Sequence, residues 1–431
     1  MDGVSSWAAQ LRCPIPARLC PHADVVQDWL VDWADRIVGP LDPAARDRLA
    51  RGGVARYAGR LYPDASEPDL RVLAALFTWF FLLDDACDAA RRPRPAEVTA
   101  LCDGVLRLLR SAPPPAGPPS RSGQSAPPPG TGRPVPSQPG AANTPTPPQP
   151  GAANTPMPSQ PGAANAPVPP QPGAMNAAAA GSGKRASNQP AARLTTPAQS
   201  RGTNRSVPRP DAFDGPLRRM LADAWRIPNQ RMSAAWRNRF VDAVAHHLAG
   251  VVTEAGNKAN GRLPGVAEYI PLRRATSAAY VSYALIEFAT GRPVPDAIYH
   301  HPLVRELADT ANDLLSWFND LLSLERDAAT SGGHNLVLAV AREERIPVEA
   351  AIGAVVRRWQ RSMRRFVELC DSVPSFGPAL DGPLRHYLDG LANSVRGTMD
   401  WSMESGRYRD ALPPARPTNP LVPCEPHRQP D

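Results

Sequence analysis

The chain has 431 residues, a formal net charge of +7 and 53 prolines. Ordinary proteins contain about 5% proline, so the excess has to be placed before domains are assigned. Residues 111–210 contain 26 prolines, eight Lys or Arg residues and no Asp or Glu, which leaves the other 331 residues with a net charge of 7 − 8 = −1. The basic charge belongs to this segment, so the rest of the chain gives no support to a nucleic-acid-binding protein.

The N-terminal part of the chain has the apolar periodicity of helices. Ser66 to Asp69 resembles a capping box and predicts the start of an apolar helix that ends near Asp88. The longest apolar run, residues 72–83, is too short to cross a bilayer and is expected to be a buried core helix. An earlier amphipathic helix is predicted by apolar residues at helical spacing: Val26, Trp29, Leu30, Trp33 and Ile37.

The proline-rich segment repeats with a period of eleven residues. Gln138 opens the sequence QPGAANTPTPP, and related copies open at Gln149, Gln160 and Gln171. The repeat has few large apolar side chains, so burial cannot offset the entropy lost on ordering. We expect residues 111–210 to be a disordered insert of polyproline II character without a part in the chemistry.

The chain after the insert is also helical in pattern. Apolar residues from Leu303 to Leu322 predict a long helix that stops at Gly332 and Gly333. No alternating β-branched stretch is long enough for a sheet, so we predict an all-α fold: one domain of residues 1–110 and 211–431. Further helices are predicted at 94–110, 235–256, 347–371 and 384–404.

The six cysteines have no CxxC spacing, and the chain does not open with a charged and then apolar signal segment. This pattern favours a reduced, cytoplasmic protein without disulfides. No membrane span is predicted.

Two polar constellations on the most apolar helices are the strongest functional signals. The first is Asp84, Asp85 and Asp88, which follow the apolar sequence TWFFLL. Asp84 and Asp88 are four residues apart, so both carboxylates lie on one helical face at the end of a core helix.

The second constellation consists of Asn319, Ser323 and Asp327. These residues are four positions apart, so the direction of the side chain rotates by about 40° about the helix axis at each step. The three oxygen donors therefore lie on one face of the helix. Asp320 and Glu325 lie off this face and are given no role.

Carboxylate, amide and hydroxyl oxygens without His or Cys select a hard divalent cation. Mg²⁺ in such sites keeps several waters and bridges to substrate phosphates. Either cluster alone fits a solvated acidic face or a helix cap, but two such clusters on apolar helices favour a diphosphate held through metal ions.

The chain resembles a bacterial class I terpene synthase over nearly all of the residues outside the insert. Asp84, Asp85 and Asp88 resemble the aspartate-rich DDxxD motif, and Asn319, Ser323 and Asp327 resemble the NSE triad with Asp in the last position. Two further motifs of the resemblance are the pyrophosphate-sensing Arg273, 46 residues before Asn319, and the C-terminal pair Arg407 and Tyr408.

The resemblance implies a helical bundle that binds three Mg²⁺ ions and a linear isoprenyl diphosphate. It assigns the metal ions to the two acidic motifs and the diphosphate to Arg273, Arg407 and Tyr408, which would form charge-assisted bonds with the leaving group. It also places Thr276 and Ser277 at the linker and effector positions, where the effector is a main-chain carbonyl.

Aromatic residues near the acidic motif are candidates for the wall of a cavity that shields a carbocation. Such rings exclude water and stabilise cations, but the same helical spacing is typical of core residues, so both interpretations stay open. The candidates are Phe77, Phe80, Phe81 and Trp401.

The sequence leaves substrate and product open. Farnesyl diphosphate and a sesquiterpene are favoured because such cyclases are common in the family, with geranylgeranyl diphosphate as the alternative.

A chain-elongating isoprenyl transferase is less favoured because the second motif here is NDLLSLERD rather than a second Asp-rich motif. A non-enzymatic scaffold leaves both metal motifs unexplained. The resemblance implies a homodimer, since antiparallel dimers are usual in the family.

Overall fold

The structure is a computed structural model that describes residues 7–88, 95–111, 213–330 and 333–405. These residues form α-helices, and no strand occurs among them. The helices are α1 Ala23–Val38, α2 Pro43–Arg51, α3 Val54–Leu61, α4 Glu67–Asp88, α5 Pro95–Arg110, α6 Pro216–Arg231, α7 Ala234–Ala259, α8 Val266–Thr276, α9 Ala279–Thr290, α10 Asp296–Tyr299, α11 Pro302–Thr330, α12 Leu336–Glu344, α13 Val348–Ser372 and α14 Pro378–Glu404.

Serine side chains cap the starts of two long helices, and the sequence predicts one of these caps. At the start of α4 the Ser66 hydroxyl accepts the Asp69 N–H at 3.4 Å, as the capping pattern predicts. At the start of α7 the Ser233 hydroxyl accepts the Trp236 N–H at 3.2 Å. Each side chain satisfies an N–H that has no partner inside its own helix.

Helix α14 begins earlier than the sequence indicates. The predicted start at residue 384 follows Pro383, but the helix starts at Pro378 and continues through Pro383. Proline costs a helix one N–H bond and strains the preceding turn. The burial of Tyr387, Leu391 and Val395 along the rest of α14 outweighs that cost here.

Buried tryptophans join pairs of helices by packing and by hydrogen bonding. Trp79 of α4 donates its indole N–H to the Leu217 carbonyl of α6 at 2.8 Å. Trp236 of α7 bonds the Ala284 carbonyl of α9 at 2.7 Å, and Trp359 of α13 bonds the Leu314 carbonyl of α11 at 2.9 Å. The donor at the edge of each ring is thereby satisfied inside the core.

Helix α9 packs against helices that carry parts of the predicted site. It contacts α4, which ends in the Asp-rich motif, and α11, which carries the second motif. It also contacts α7, α8 and α14. Helix α12 packs against both α8 and α11. This arrangement sets the end of α8 beside the middle of α11.

The predicted insert lies outside the described residues apart from Ser111, so its disorder stays a prediction. In the part of the chain that the structure describes, no helix combines the length and the apolarity that a membrane span requires. Burial raises the pKa of the Cys102 thiol on α5 to about 11, so this thiol stays protonated at neutral pH.

Candidate active site

The Asp-rich motif lies at the C-terminal end of α4, after a buried stretch that includes Leu76, Trp79 and Leu83. Asp84 is exposed and Asp85 is half-buried. Asp88 is the last residue of α4, and its side chain lies outside the described structure. The helix therefore carries Asp84 and Asp85 out of the core to its surface end.

The second motif lies on the buried face of α11. Ser323 and Asp327 are both buried, and the Ser323 hydroxyl donates to Asp327 Oδ2 at 2.6 Å. Asn335, the N-cap of α12, donates to the same carboxylate oxygen at 3.0 Å. The Ser323 hydroxyl, one turn beyond Asn319, and the Asp327 carboxylate, two turns beyond it, therefore lie together.

Arg273 of α8 joins the second motif directly. Its Nη2 donates to Asn319 Oδ1 at 2.9 Å and its Nε to Asp320 Oδ1 at 2.8 Å. Burial lowers the pKa of the Arg273 guanidinium, but the carboxylate of Asp320 and other nearby groups raise that pKa above its ordinary value. Arg273 is therefore a permanent cation beside the triad.

Asp320, to which the sequence spacing gives no role, lies at the centre of this contact. It is 1% exposed, accepts the Tyr269 hydroxyl at 2.8 Å and accepts the Leu336 N–H at 3.1 Å. Together with the bond from Arg273, three elements meet at this one carboxylate: α8, α11 and the start of α12. Its carboxylate accepts the bond from Arg273 Nε while Nη2 of the same guanidinium bonds Asn319, so Asp320 holds the guanidinium beside the triad.

The sequence NDLLS occurs twice in α11, seven residues apart, and the structure distinguishes the copies. In the first copy, Asn312 and Ser316 are fully buried and hydrogen bonded to each other at 2.9 Å. Asp313 accepts a bidentate pair from Arg274 at 2.7 Å. The first copy therefore joins α11 to α8, and the second carries the triad. The repeat is visible in the sequence and signals that residues 312–316 lie on the same side of α11 as residues 319–323.

Ser277 lies at the junction between α8 and α9. Its hydroxyl is 3.0 Å from the Arg274 carbonyl and 2.8 Å from Asn312 Oδ1. The Thr276 hydroxyl contacts the Arg273 carbonyl at 3.4 Å. Helix α8 ends at Thr276 and α9 begins at Ala279, so both residues lie at a break between two helices.

The aromatic candidates divide into two groups. Phe77, Phe81 and Trp401 surround Tyr57 of α3, whose ring stacks on Trp401 with centroids 4.3 Å apart. Tyr57 has no signal in the sequence that connects it with these rings. Phe80 instead contacts Trp79 and His247, with centroids 4.8 and 5.9 Å apart. The role of these rings as a cavity wall stays a prediction.

Arg407 and Tyr408 lie outside the described residues. The last turn of α14, which leads to them, is tied to α3 by Arg60. This buried guanidinium donates to both carboxylate oxygens of Glu404 at 2.7 Å and to Asp400 at 3.2 Å.

The donor set on α11 fits a hard divalent ion. The described residues contain no cluster of three His, Cys, Asp or Glu side chains that could bind a metal. A metal ion at α11 would be held by the oxygens of Asn319 and Ser323 and by the Asp327 carboxylate, and all three are ligand types that Mg²⁺ accepts. The 2.6 Å contact between Ser323 and Asp327 shows that two of these groups already meet.

Comparison with known proteins relates this arrangement to one family. Residues 190–365, which include Arg273 and the triad, match the family described as terpene synthase family 2, C-terminal metal binding. Germacrene A synthase of Nostoc punctiforme is 33% identical over 401 residues, which cover 93% of this chain and 94% of that protein.

A second relative matches part of the chain, and a solved structure shares its fold. Sesquiterpene synthase 1 of Postia placenta is 34% identical over 190 residues, 44% of this chain, so the chain spans little more than half (56%) of that protein. The linalool/nerolidol synthase structure from Streptomyces clavuligerus has a TM-score of 0.59 and 21% identity, covering 91% of this chain and 99% of that one. At this identity the likeness concerns the fold, and the predicted all-α fold is confirmed.

Proposed function

Because the chain belongs to the terpene synthase family, we propose that it is a class I terpene cyclase acting on a linear isoprenyl diphosphate. The observation that carries the proposal is the contact of Arg273 with Asn319, beside the bonded pair Ser323 and Asp327. A permanent cation and a hard-metal donor set on one buried surface are what a diphosphate requires.

The proposed metal ligands are Asn319, Ser323 and Asp327 on α11, with Asp84, Asp85 and Asp88 on α4. The matched family is described as metal-binding, which implies that the chain uses a divalent metal. We propose Mg²⁺, three ions in all. When bound, Mg²⁺ would neutralise charge on the departing diphosphate.

The protein's own residues would bind the leaving group and exclude water. Arg273 would donate to the diphosphate, and Asp320 with Tyr269 would keep the guanidinium in place. Arg407 and Tyr408 are proposed to bind the same group. The rings of Phe77, Phe81 and Trp401 would shield the allylic cation and stabilise it through their faces.

The proposed substrate is farnesyl diphosphate and the proposed product a sesquiterpene hydrocarbon or alcohol. The names of the relatives from Nostoc punctiforme and Postia placenta support this choice. Geranylgeranyl diphosphate is the alternative substrate.

Incubation of the purified chain with C10, C15 and C20 isoprenyl diphosphates and Mg²⁺ tests the proposal, with products identified by gas chromatography and mass spectrometry. We expect a cyclic C15 product that disappears when EDTA removes the metal. A cyclic C20 product would move the substrate to geranylgeranyl diphosphate. If elongated diphosphates form after addition of isopentenyl diphosphate, the enzyme is a chain-elongating transferase and not a cyclase.

The location and assembly of the enzyme are further proposals. We propose a cytoplasmic enzyme, because the six cysteines have no disulfide spacing. A homodimer is proposed from the family resemblance, and light scattering of the purified chain would measure its mass in solution.

A further inference from the structure

The junction between α8 and α9 has a backbone conformation that its sequence does not favour. Ser277 ends α8 with helical angles, and Ala278 then adopts a left-handed conformation with φ 58° and ψ 11°. A left-handed backbone is costly for a residue with a Cβ atom and persists where surrounding contacts hold it. The junction therefore needs support from outside its own segment.

Asn312 of α11 provides such contacts. Its Nδ2 donates to the Arg274 carbonyl at 2.9 Å, and its Oδ1 lies 2.8 Å from the Ser277 hydroxyl. Asn312 is completely buried, with 0% of its surface exposed. One neutral amide thus bonds both the main chain and the side chain of the junction.

The Ser277 hydroxyl extends this network across the junction. It accepts the Ala279 N–H at 3.1 Å and lies 3.0 Å from the Arg274 carbonyl. The Ser316 hydroxyl donates to Asn312 Oδ1 at 2.9 Å and so orients the amide. The end of α8, the start of α9 and the middle of α11 therefore share one buried network.

The segment that Asn312 holds begins with the cation of the site. The Arg273 carbonyl accepts the Ser277 N–H at 3.0 Å, while the Arg273 guanidinium reaches Asn319 and Asp320. Asn312 precedes Asn319 by seven residues, about 10 Å along the helix axis. A shift of the junction against α11 would therefore move Arg273 relative to Asn319.

We propose that Asn312 is a positioning residue for the cyclisation reaction. By bonding the Arg274 carbonyl and Ser277, it holds the α8–α9 junction at one distance from the metal-binding face of α11. It thereby fixes both the Arg273 guanidinium and the main-chain carbonyl of Ser277. This role rests on the proposed function, and Asn312 acts through residues 273–278 rather than by touching the substrate.

Asn312→Ala tests the proposal by steady-state kinetics. A misplaced binding group costs turnover more than substrate affinity, so kcat should fall about tenfold or more while KM changes less than about threefold. The double variant Asn312→Ala with Ala278→Gly should recover at least about threefold of that loss, because glycine adopts the left-handed conformation without support.

Thr310→Val is the matched control. Thr310 is also a buried polar residue of α11, but its hydroxyl donates to the Glu306 carbonyl of its own helix at 2.7 Å. Its kcat should stay within about twofold of the native value. A Thr310→Val loss equal to that of Asn312→Ala, or no recovery with Ala278→Gly, would overturn the proposal.

Amide hydrogen exchange provides a second measurement that needs no turnover. Exchange of residues 276–282 should rise about tenfold or more in Asn312→Ala and stay unchanged in Thr310→Val. If Asn312→Ala does not fold, Ser277→Ala takes its place with the same expected direction.

Native exchange at residues 276–282 in Asn312→Ala or Ser277→Ala, or native kcat in either variant despite faster exchange, would overturn the assignment. A native chain that forms no terpene would instead contradict the proposed function, and the exchange data would still show whether Asn312 holds the junction.

Discussion

At the scale of single residues, Asp320 shows how burial decides the structural role of a carboxylate. In the sequence it is one of several acidic residues beside the triad. In the structure it is 1% exposed and bonded to Arg273, Tyr269 and the Leu336 N–H. A carboxylate without water around it interacts strongly with a nearby cation, so Asp320 holds Arg273 in one orientation.

Asp320→Asn should therefore affect both stability and substrate binding. Breaking a buried ion pair costs about 3 kcal/mol because one charge is left uncompensated, and chemical unfolding would measure this loss. KM for the diphosphate should rise several-fold because the Arg273 guanidinium loses the ion pair that holds it, whereas Asn312→Ala leaves that ion pair in place and changes KM less.

Glu287→Gln is the matched control for Asp320→Asn. Glu287 is paired with the buried Arg239 in α7, at 2.5 Å. This variant should also lose stability while its KM stays within about twofold of the native value. An equal rise of KM in both variants would mean that KM reports general loss of stability.

The triad residues should be required for turnover and dispensable for the fold. Asn319→Ala and Ser323→Ala each remove a proposed oxygen ligand without opening a large cavity, so turnover should nearly vanish while helical circular dichroism stays unchanged. Asp327→Glu should retain activity because it keeps the charge and restores the usual family residue. Glu325→Gln, an exposed neighbour on α11, should behave like the native enzyme. Full activity in Asn319→Ala or Ser323→Ala would contradict the assignment of the triad.

At the scale of helices, the contact between α7 and α8 positions the segment that carries Arg273. A Cβ atom built on Gly250 of α7 would lie 2.7 Å from Ala275 Cβ, so only glycine allows this close approach. One turn earlier, His247 Nδ1 lies 3.1 Å from the Ala275 carbonyl. Neutral His247 donates this hydrogen bond, which ties the two helices together.

The buried His247 should make the stability of the protein depend on pH. Burial lowers its pKa from 6.5 to about 4, so the unfolded chain binds a proton at a higher pH than the folded chain. Stability is then complete above about pH 6.5 and is lost as the pH falls towards 4, by about 3 kcal/mol at about 1.4 kcal/mol per pH unit.

Urea unfolding between pH 4.5 and 7 would measure this effect. His247→Asn should flatten the dependence, whereas His246→Asn, on the exposed side of α7, should leave most of it. A native slope in His247→Asn would contradict the assignment.

At the scale of the whole molecule, the prediction concerns the insert. Replacement of residues 111–210 by a short Gly/Ser linker should leave the product unchanged and turnover within about threefold. The segment has few apolar residues to contact the folded domain, and loop closure changes by only about 0.6 kcal/mol per doubling of length. Product analysis and thermal unfolding of the deletion variant would test this.

A deletion variant that folds but forms a different terpene, or none, would show that the repeat contributes to the active site. If the deletion variant forms the same product but is less soluble, the eight positive charges of the insert have a role in solubility or partner binding.

The sequence by itself determined several of the helices and the order of the motifs. Apolar period and local caps act within a few residues, so the predicted helix at 235–256 is found at Ala234–Ala259 and the one at 347–371 at Val348–Ser372. The spacing of Asn319, Ser323 and Asp327 likewise predicts one shared helical face, because helical geometry is local.

Only the tertiary structure decided what surrounds these residues. The two copies of NDLLS have the same local signal, yet Asn312 bonds both Ser316 and the α8–α9 junction, while Asn319 meets Arg273. The grouping of Tyr57 with Trp401 depends on contacts between residues 344 positions apart in the chain. Burial and hydrogen-bond partners arise from how distant helices pack, and no short stretch of sequence contains that information.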